Sequence, residues 1–480
     1  MKKRNIAIFH YKVGGTDGVS LELDKWKRVF EEDGHSVFLA GGALGSAEGT
    51  LIPEMFHHLP VSERLYRNTF VKLTDYPDNK TYAAELYTQA DIIEKSIDHM
   101  IEKYDIDTIV AQNVWSVSAH PSVALALYRA AEKNNIPVLA HHHDFYWERV
   151  EGVCLTCRTA LELADSYLPP RGKKIRHAVI NSLAKKELLR RKGIDAQVIP
   201  NVFDFSEDPW KIDDYNRDLR SSFNIKENDI VLLQATRVVA RKGIEGAIDF
   251  AAELNKRLPK LIGSRLQNGQ MVTESSKIIL LLAGYAEDDA TGTYLKRLVH
   301  KADELGVNIK YIGDRVASER NNDQNNQKIY SLWDTYTAAD MVTYPSYWEG
   351  WGNQFLEAVK AKLPIMLYEY PVYVSDIADK GFSVISIGNS LAGVDDQQLV
   401  KIDPKAITQA ADLAVTYFQD TEFRNCAVES NLKIARRYYS MEALKGYLAK
   451  LTNNWMGDTD FEVQQTILKP ELIVRESSGG

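Results

Sequence analysis

Short apolar runs alternate with helical stretches along this chain, and this alternation constrains the fold more than any other feature. Each run has the length of a strand, and the stretches between runs carry apolar residues at helical spacing. The strands predicted in the first half are Asn5–Tyr11, Ser36–Ala40, Asp107–Ala111, Pro137–His141, His177–Asn181 and Gln197–Pro200. The helices include Val19–Glu32, Ser122–Lys133 and Ser182–Lys192. Repeated strand–helix units form a parallel sheet with helices on both faces, so the pattern predicts an α/β fold.

The same pattern begins again at residue 229, which predicts a second domain of similar architecture. Its strands are Asp229–Thr236, Lys277–Ala283, Asn308–Ile312, Met341–Tyr344 and Pro364–Tyr368, and its helices are Ile244–Lys256, Ile329–Ala339, Gly352–Lys362 and Ile407–Asp420. A chain of 480 residues also exceeds the ~250–300 residues at which one core stops growing. We therefore expect two Rossmann-like, doubly wound domains, residues 1–205 and 206–439. A C-terminal helix within residues 440–480 is expected to pack back towards the first domain.

The composition excludes several classes of protein. The net charge is −8, so the chain lacks the basic footprint of a nucleic-acid-binding protein. No segment approaches the ~18–20 apolar residues of a membrane span, and the apolar run Ile6–Phe9 is too short for a signal peptide. Three cysteines fit a reducing compartment. We expect a cytoplasmic protein without nucleic-acid partners or a transmembrane segment, and a homo-oligomer is compatible with the sequence.

Two strand ends carry residues suited to an anionic ligand, because ligands of open parallel sheets bind beyond the carboxyl ends of the strands. Gly14 and Gly15 follow the first strand and precede a helix. They form either a loop that brings backbone amides to an anion or a plain tight turn. Arg237 and Lys242 follow the first strand of the second half and also precede a helix. They form either a metal-free clamp on a diphosphate or a pair of solvated charges.

A third strand end, residues 344–357, is the most distinctive segment of the chain. Glu349 lies in the loop and Glu357 within the following helix, with Gly350 and Gly352 between them. Glycine lets the backbone approach a ligand closely. An ionised carboxylate such as that of Glu357 only accepts hydrogen bonds, and so suits two ribose hydroxyls.

Together these motifs resemble the retaining glycosyltransferases of family 4, which have the GT-B fold of two Rossmann-like domains facing a cleft. The resemblance extends over nearly the whole chain. Glu349 and Glu357 match the E-x7-E signature of that family, inside PSYWEGWGNQFLEA. The other matching segments are Gly14–Gly15, His143–Asp144, Val198–Asn201, the pair Arg237 and Lys242, and Ile312–Gly313.

The resemblance implies a role for each matching residue. The catalytic set is Arg237, Lys242, Glu349 and His143, with the two cations on the leaving diphosphate and His143 beside the 6-hydroxyl side of the sugar. The donor-binding set is Gly14, Gly15, Arg237, Lys242, Gly313, Glu349, Gly350, Trp351, Gly352, Asn353 and Glu357. Glu357 binds the ribose, and Glu349 with the backbone of residues 350–353 contacts the hexose. The donor is a nucleotide sugar such as GDP-mannose or UDP-glucose, no metal or other cofactor is required, and the anomeric configuration is retained.

The acceptor is expected in the first domain, at the string His141–Arg149. These residues follow a buried strand, so we expect their side chains at the mouth of the cleft. The residues predicted to bind the acceptor are His141, His142, Asp144, Trp147 and Arg149. Histidines with Arg149 suit an acidic group and Trp147 suits a sugar face, whereas structural packing is the alternative. The string is similar to enzymes that glycosylate glucosylglycerate-type compatible solutes, which implies transfer of mannose or glucose to a small anionic glycoside.

Other functions fit the same architecture. The alternatives are a glycosyltransferase acting on a lipid or cell-envelope polysaccharide, a non-catalytic nucleotide-sugar-binding subunit, and an epimerase or phosphorylase. The basic pair and the E-x7-E motif argue against the epimerase, and a phosphorylase needs a lysine that holds pyridoxal phosphate. Cys154 and Cys157 form a C-x2-C pair that is compatible with zinc, with a redox couple or with ordinary thiols.

Overall fold

The computed structural model of the protein describes residues 3–15, 17–149, 152–286 and 292–452. The chain divides into two compact units. The first unit contains the chain up to Ile199 and the C-terminal stretch from Lys445, and the second contains Pro200–Leu444. No helix among the described residues combines the length and apolar character that crossing a membrane requires.

The first unit is built on a parallel sheet of seven strands in the order β3-β2-β1-β4-β5-β6-β7. The strands are β1 Asn5–Phe9, β2 Ser36–Gly41, β3 Thr50–Leu51, β4 Thr108–Gln112, β5 Val138–His142, β6 Ile175–Val179 and β7 Gln197–Val198. The helices are α1 Gly18–Glu32, α2 Pro60–Phe70, α3 Asn79–Tyr104, α4 Val114–Val117, α5 Pro121–Lys133, α6 Arg158–Tyr167 and α7 Ser182–Lys192. Ile6 of β1 pairs with Val37 on one side and Thr108 on the other, which fixes the register at the centre of the sheet.

The second unit contains a parallel sheet of six strands in the order β10-β9-β8-β14-β15-β16 and two small sheets. Its strands are β8 Ile230–Gln234, β9 Ile278–Leu282, β10 Asn308–Tyr311, β11 Val316–Ala317, β12 Asn321–Asn322, β13 Lys328–Ser331, β14 Met341–Tyr344, β15 Ile365–Leu367, β16 Ile385–Ser386, β17 Leu391–Val394 and β18 Val400–Ile402. Its helices are α8 Leu219–Ser222, α9 Ile244–Asn255, α10 Leu258–Leu261, α11 Thr293–Glu304, α12 Leu332–Thr337, α13 Asn353–Lys360, α14 Pro404–Gln419 and α15 Thr421–Tyr439. Helix α16, Met441–Thr452, runs from the second unit into the first.

The sequences of the central strands explain why both sheets are covered. Every residue of β4, β5, β8, β9 and β14 is buried. Strands of this kind are continuously apolar, as β9 with its sequence IILLL, because helices cover a parallel sheet on both faces. In the first unit α3 packs on α5, where the Ser122 hydroxyl donates to the Leu86 carbonyl at 2.9 Å.

The predicted α/β fold with two parallel sheets is confirmed, but the helix predicted over Ile329–Ala339 is wrong in its first residues. Ile329 and Tyr330 belong to β13, and α12 begins only at Leu332. Ser331 caps that helix, because its hydroxyl accepts from the Asp334 amide while the Asp334 carboxylate accepts from the Ser331 amide. This capping box sets the helix start.

The strand order reverses once in each large sheet, between β1 and β4 in the first unit and between β8 and β14 in the second. At such a switch point the chain leaves two neighbouring strands in opposite directions, which opens a crevice beyond their carboxyl ends. The residues after β1 and β4, and those after β8 and β14, are therefore the candidates for ligand binding.

Candidate active site

Three charged side chains meet at the switch point of the second unit. Lys242 lies in the 3-10 turn Ala240–Lys242 after β8, and its Nζ is 2.5 Å from Oε1 of Glu349, which follows β14. Arg241 Nη1 lies 3.1 Å from the other carboxylate oxygen. Arg237 is half-buried and close enough to Lys242 to act on its pKa. The structure thus brings together the predicted residues Lys242 and Glu349 and adds Arg241, which the sequence motifs did not single out.

Glu349 is ionised in this site. Its burial alone would raise its pKa, but the charges of Lys242 and Arg241 outweigh burial and lower it below the ordinary value. The phenols of Tyr344 and Tyr370 have pKa values well above the ordinary one, because they are buried and because Glu349 is a nearby anion. The carboxylate therefore accepts hydrogen bonds. Burial lowers the pKa of the Lys242 ammonium, and the negative charge of Glu349 opposes this shift.

Two glycines let the turn after β8 lie against its neighbours. Gly243 has a φ of +59°, and a Cβ there would lie 2.4 Å from the Pro345 carbonyl oxygen. A Cβ at Gly284, beyond β9, would lie 1.8 Å from the Thr236 carbonyl oxygen. Gly313, beyond β10, is also buried against Gly284. The close contact between Gly243 and Pro345 brings Lys242 beside the loop that carries Glu349.

The start of α9 is already occupied by side chains of its own unit. The Ile244 amide donates to the Tyr294 hydroxyl, which in turn donates to the Glu245 carboxylate at 2.5 Å. The positive side chains near this turn are those of Arg237, Arg241 and Lys242.

Helix α13 presents a different start. It follows Gly352, which has a φ of +119° and provides no side chain to cap the helix. Gly350 precedes it in the same loop and is half-buried. The Trp351 side chain is buried against Tyr439. The Trp351 side chain thus contributes to the packing of the second unit.

The remaining residues of the donor set lie on α13. The Asn353 amide oxygen accepts from Asn201 at 2.9 Å. Glu357 is buried, and its Oε2 accepts a hydrogen bond of 2.7 Å from the Tyr336 hydroxyl. Tyr336 packs on Trp210, so an aromatic cluster fixes the orientation of this carboxylate.

The switch point of the first unit carries the predicted glycine loop and two residues that the sequence analysis missed. Gly14 has a φ of +66°, and its carbonyl accepts from the Ser46 amide. Next to Gly15, Asp17 caps α1 by accepting from the Ser20 amide at 3.0 Å. His10, at the end of β1, is buried, and its Nδ1 lies 2.7 Å from the Gln112 carbonyl oxygen at the end of β4. The glycine loop therefore lies beside a histidine and a carboxylate.

Two polar residues at the end of β4 hold the loop that follows β5. Gln112 Oε1 lies 2.9 Å from His141 Nδ1 and 3.4 Å from His143 Nε2. Asn113, in the left-handed region with a φ of 55°, accepts from the amides of His143 and Asp144. Burial lowers the pKa of His143 to about 3, with the charges of His10 and Lys25 acting in the same direction and Asp17 opposing them. His143 is therefore a neutral hydrogen-bonding group at physiological pH.

The other residues of the acceptor string were expected to lie at the mouth of a cleft. The structure places them differently. His141 stacks on Trp26 at 4.3 Å, and His142 bonds to His177 at 2.9 Å, so both are buried in the unit. Both residues were predicted to be accessible because they lie at the end of a strand. Position along a strand does not determine the face of the sheet on which a side chain lies.

Trp147, Arg149 and Asp144 are half-buried. Phe145 stacks on the Trp147 ring at 4.3 Å and Arg191 lies over the same ring, so the indole is packed within its own unit. Arg149 lies over the Tyr66 ring. Of the string, Arg149 is the residue that combines a positively charged side chain with partial exposure.

A cavity of about 820 Å³ lies elsewhere in the second unit and contains none of the predicted residues. Lys277, Ile278 and Asn308 line it, so it lies at the amino edge of the sheet. Cys154 and Cys157 form no disulfide. Within the described ranges, no group of three or more histidine, cysteine and acidic side chains has a metal-binding arrangement.

Known proteins resemble this chain in sequence. A family model described as glycosyl transferases group 1 matches residues 216–401. A mannosylglucosylglycerate synthase of Petrotoga mobilis is 40% identical over 393 residues, which cover 80% of this chain and 86% of the relative. A second mannosylglucosylglycerate synthase, of Thermotoga maritima, is 36% identical over 445 residues, 93% of this chain and 99% of the relative.

Solved glycosyltransferase structures share the fold. A glycosyltransferase of Rickettsia africae aligns over 96% of this chain and 100% of its own, with a TM-score of 0.61 and 14% identity. Sucrose-phosphate synthase of Thermosynechococcus elongatus aligns over 95% and 99%, with a TM-score of 0.57 and 14% identity. WaaG, a glycosyltransferase of lipopolysaccharide biosynthesis, aligns over 94% and 100%, with a TM-score of 0.52 and 17% identity.

Proposed function

This chain belongs to the mannosylglucosylglycerate synthase family of the group 1 glycosyl transferases, and on that premise we propose that it transfers a mannosyl group from a nucleoside diphosphate sugar to glucosylglycerate. The product named in both relatives contains a mannose, a glucose and a glycerate, so the last transfer joins mannose to glucosylglycerate. We also propose that the reaction takes place in the cytoplasm, between two small polar substrates.

The observation that carries the proposal is the meeting of Lys242, Arg241 and Glu349 beyond β8 and β14. When the bond between the anomeric carbon and the diphosphate oxygen breaks, negative charge develops on the diphosphate. Cations that are already in place stabilise that charge without rearrangement, which is the largest catalytic effect available to such a site. Lys242, Arg241 and Arg237 therefore supply the charge that a metal ion supplies in other transferases.

The carboxylates bind the hydroxyl groups of the donor in this proposal. Glu349 is ionised and accepts from hexose hydroxyls, while its contact with Lys242 keeps the ammonium beside the diphosphate. Glu357, oriented by Tyr336, accepts from the ribose hydroxyls. The uncapped start of α13 offers backbone amides to the hexose or the phosphate.

The anomeric configuration is retained through attack from the face that the diphosphate leaves. The acceptor hydroxyl oxygen forms the new bond to the anomeric carbon as the bond to the diphosphate oxygen breaks. A diphosphate oxygen takes the hydroxyl proton, so nucleoside diphosphate leaves with that proton. His143 is neutral and so acts as a hydrogen-bonding group for the sugar rather than as a charged acid.

Two alanine variants test the clamp. Lys242→Ala and Arg237→Ala should each lower turnover at least about 100-fold in an assay with GDP-mannose or a UDP-sugar and glucosylglycerate. Lys301→Ala is the matched control, because Lys301 is also buried and pairs with Asp249 at 2.9 Å but lines the cavity at the opposite edge of the sheet. We expect Lys301→Ala to keep its turnover. Near-wild-type turnover in either clamp variant would contradict the proposal.

A further inference from the structure

Five side chains gather beyond β1 and β4 of the first unit, and we name them the Tyr11 cluster: Tyr11, His57, Ser118, His120 and Arg149. The rings of Tyr11 and His57 lie 5.5 Å apart, and the Tyr11 hydroxyl donates to the Val114 carbonyl. The backbone at His120 and the charge of Arg149 both act on the pKa of Tyr11. The cluster therefore surrounds the buried Tyr11 ring at the switch point of the first sheet.

Several polar atoms of the Tyr11 cluster are buried without a partner. Within the described part of the chain, no hydrogen bond of ordinary geometry reaches Ser118 Oγ, Nδ1 of His57 or Nε of Arg149, whereas the backbone of Glu54 lies close enough to the His120 ring to act on its pKa. Ser118 and His120 are fully buried. Native proteins leave few buried polar groups unpaired, so a group of them in one place indicates a ligand site.

The charges of the Tyr11 cluster favour an anion. Arg149 lies over the Tyr66 ring at 4.4 Å and donates to the Val117 carbonyl at 3.2 Å, and no acidic side chain pairs with it among the described residues. Burial lowers the pKa of His120 to about 4, with His57 acting in the same direction and the Glu54 backbone opposing it. The imidazole is therefore neutral, and its one N–H can donate a hydrogen bond without adding a charge.

The backbone of the cluster is held in an unusual conformation. Ser118 has a φ of 47°, in the left-handed region that residues other than glycine rarely adopt. Strain of this kind persists where the surrounding structure enforces it, often at ligand sites. Here it holds a fully buried hydroxyl beside the carbonyl that Arg149 contacts.

We propose that the Tyr11 cluster binds the glycerate carboxylate of the acceptor, an inference that rests on the proposed function. A carboxylate accepts hydrogen bonds only, and guanidinium binds it with two parallel N–H groups. Arg149 provides the charge, His57 and His120 provide neutral donors, and Ser118 bonds a carboxylate oxygen or the neighbouring glycerate oxygen. Tyr11 and Tyr66 supply the apolar walls that make the charged contact selective.

The test compares two acceptors that differ only at the proposed contact: glucosylglycerate and glucosylglycerol, in which a hydroxymethyl group replaces the carboxylate. Wild-type enzyme should favour glucosylglycerate in kcat/KM. Arg149→Gln should lower kcat/KM for glucosylglycerate about 100-fold and leave that for glucosylglycerol within about threefold, because the lost contact is with the carboxylate. Arg149→Lys should restore part of the preference. Ser118→Gly, which relieves the backbone strain, should raise KM for glucosylglycerate about tenfold.

Arg129→Gln is the matched control, because Arg129 also lies over a tyrosine ring, that of Tyr87 at 5.6 Å, but on the paired helices α3 and α5. It should keep the wild-type preference. A preference unchanged in Arg149→Gln, or an equal loss on both acceptors, would overturn the inference while leaving the proposed function intact. Absence of transfer to glucosylglycerate by the wild-type enzyme would instead overturn the proposed function.

Discussion

At the scale of single residues, the contact between Lys242 and Glu349 has an asymmetry that stability measurements can detect. Glu349 has two cationic partners, Lys242 and Arg241. Lys242 has one acidic partner within the described ranges, which is Glu349. Breaking a buried ion pair from one side costs about 3–5 kcal/mol, because a buried charge is left without compensation. The cost should therefore depend on which partner is removed.

We expect Glu349→Gln to lower the free energy of unfolding by about 3–5 kcal/mol, because it leaves Lys242 buried beside Arg241. Lys242→Met should cost less, since Arg241 still pairs with Glu349. The double variant should regain part of the loss of Glu349→Gln, and all three should lose at least about 100-fold in turnover. Urea unfolding and initial rates measure both effects. A double variant as unstable as Glu349→Gln would refute the pairing.

Glu148 provides a test by pH. Burial raises the pKa of its carboxyl to about 7 from an ordinary value of 4.5, while the Phe145 amide, which donates to it at 2.8 Å, opposes the shift. Below pH 4.5 the carboxyl is protonated in both the folded and the unfolded chain. Between pH 4.5 and about 7 only the unfolded chain releases the proton, so the folded state loses stability as pH rises through this window.

Glu148→Gln carries no titratable group and escapes this loss. The stability of the variant relative to wild type should therefore rise between pH 5 and pH 8, by up to about 3 kcal/mol. Urea midpoints at the two pH values give the difference. If the gap between variant and wild type is the same at both, the carboxyl titrates at its ordinary pKa and the prediction is wrong.

The sequence could indicate the residues of the site only where a motif carried them. Glu349, Lys242 and His143 were predicted because their neighbours form recognisable motifs. Arg241 and Asn113 were missed because nothing in their local sequence marks them, although Arg241 contacts Glu349 and Asn113 holds the His143 loop. Their importance depends on which strand ends lie side by side, and sheet order is not visible in local periodicity.

At the scale of elements, the prediction was best for strands and for helices that directly follow them. The predicted strands of both large sheets are apolar runs, and their bounds agree with the structure to within a few residues. The short edge strands β3 and β16 were not predicted. Helix α3, Asn79–Tyr104, was missed although Leu86, Ala90, Ile93 and Ile97 lie on one face at helical spacing. Its apolar face packs on another helix rather than directly on a predicted strand. The strand–helix alternation that guided the prediction therefore did not extend to it.

The turn between β8 and α9 is the element whose geometry the site depends on most, and Gly243 tests it. Gly243→Ala incurs the left-handed backbone cost of about 1–2 kcal/mol and also places a methyl group 2.4 Å from the Pro345 carbonyl oxygen. We expect a larger loss of unfolding free energy than the backbone cost alone, and a fall in turnover as Lys242 moves away from Glu349. Chemical unfolding and initial rates check both.

Gly193→Ala is the control for this prediction. Gly193 ends α7 with a φ of +63°, and a Cβ there would meet nothing within 4 Å. It should lose only the backbone cost of about 1–2 kcal/mol and keep its turnover. Equal losses in the two variants would show that the contact with Pro345 has no separate effect.

At the scale of the whole molecule, the C-terminal helix belongs to both units. In the first unit Lys445 Nζ lies 2.5 Å from an oxygen of Asp33, and Gln197 donates to the Tyr447 carbonyl at 2.9 Å. Leu448 is buried there as well. The first unit thus includes a segment that follows the second unit in sequence, so its stability depends on residues far from Ile199 along the chain.

This organisation predicts that the two units can be stabilised and destabilised separately. A nucleoside diphosphate at about 100 times its Kd adds about 2.7 kcal/mol to the folded state that binds it, and should raise the calorimetric transition of the second unit. Glucosylglycerate should raise that of the first unit. Leu448→Ala, which costs about 2–5 kcal/mol by leaving a cavity, should lower the transition that glucosylglycerate raises.

The matched variant is Leu254→Ala, because Leu254 is equally buried in α9 of the second unit. It should lower the transition that the nucleoside diphosphate raises and leave the other in place, since each leucine contributes to the core of one unit. A single transition that both ligands and both variants move equally would mean that the units unfold together. In that case a ligand bound to one unit would raise the free energy of unfolding of the whole chain. Donor and acceptor would then have to be assigned to their units by the kinetic tests.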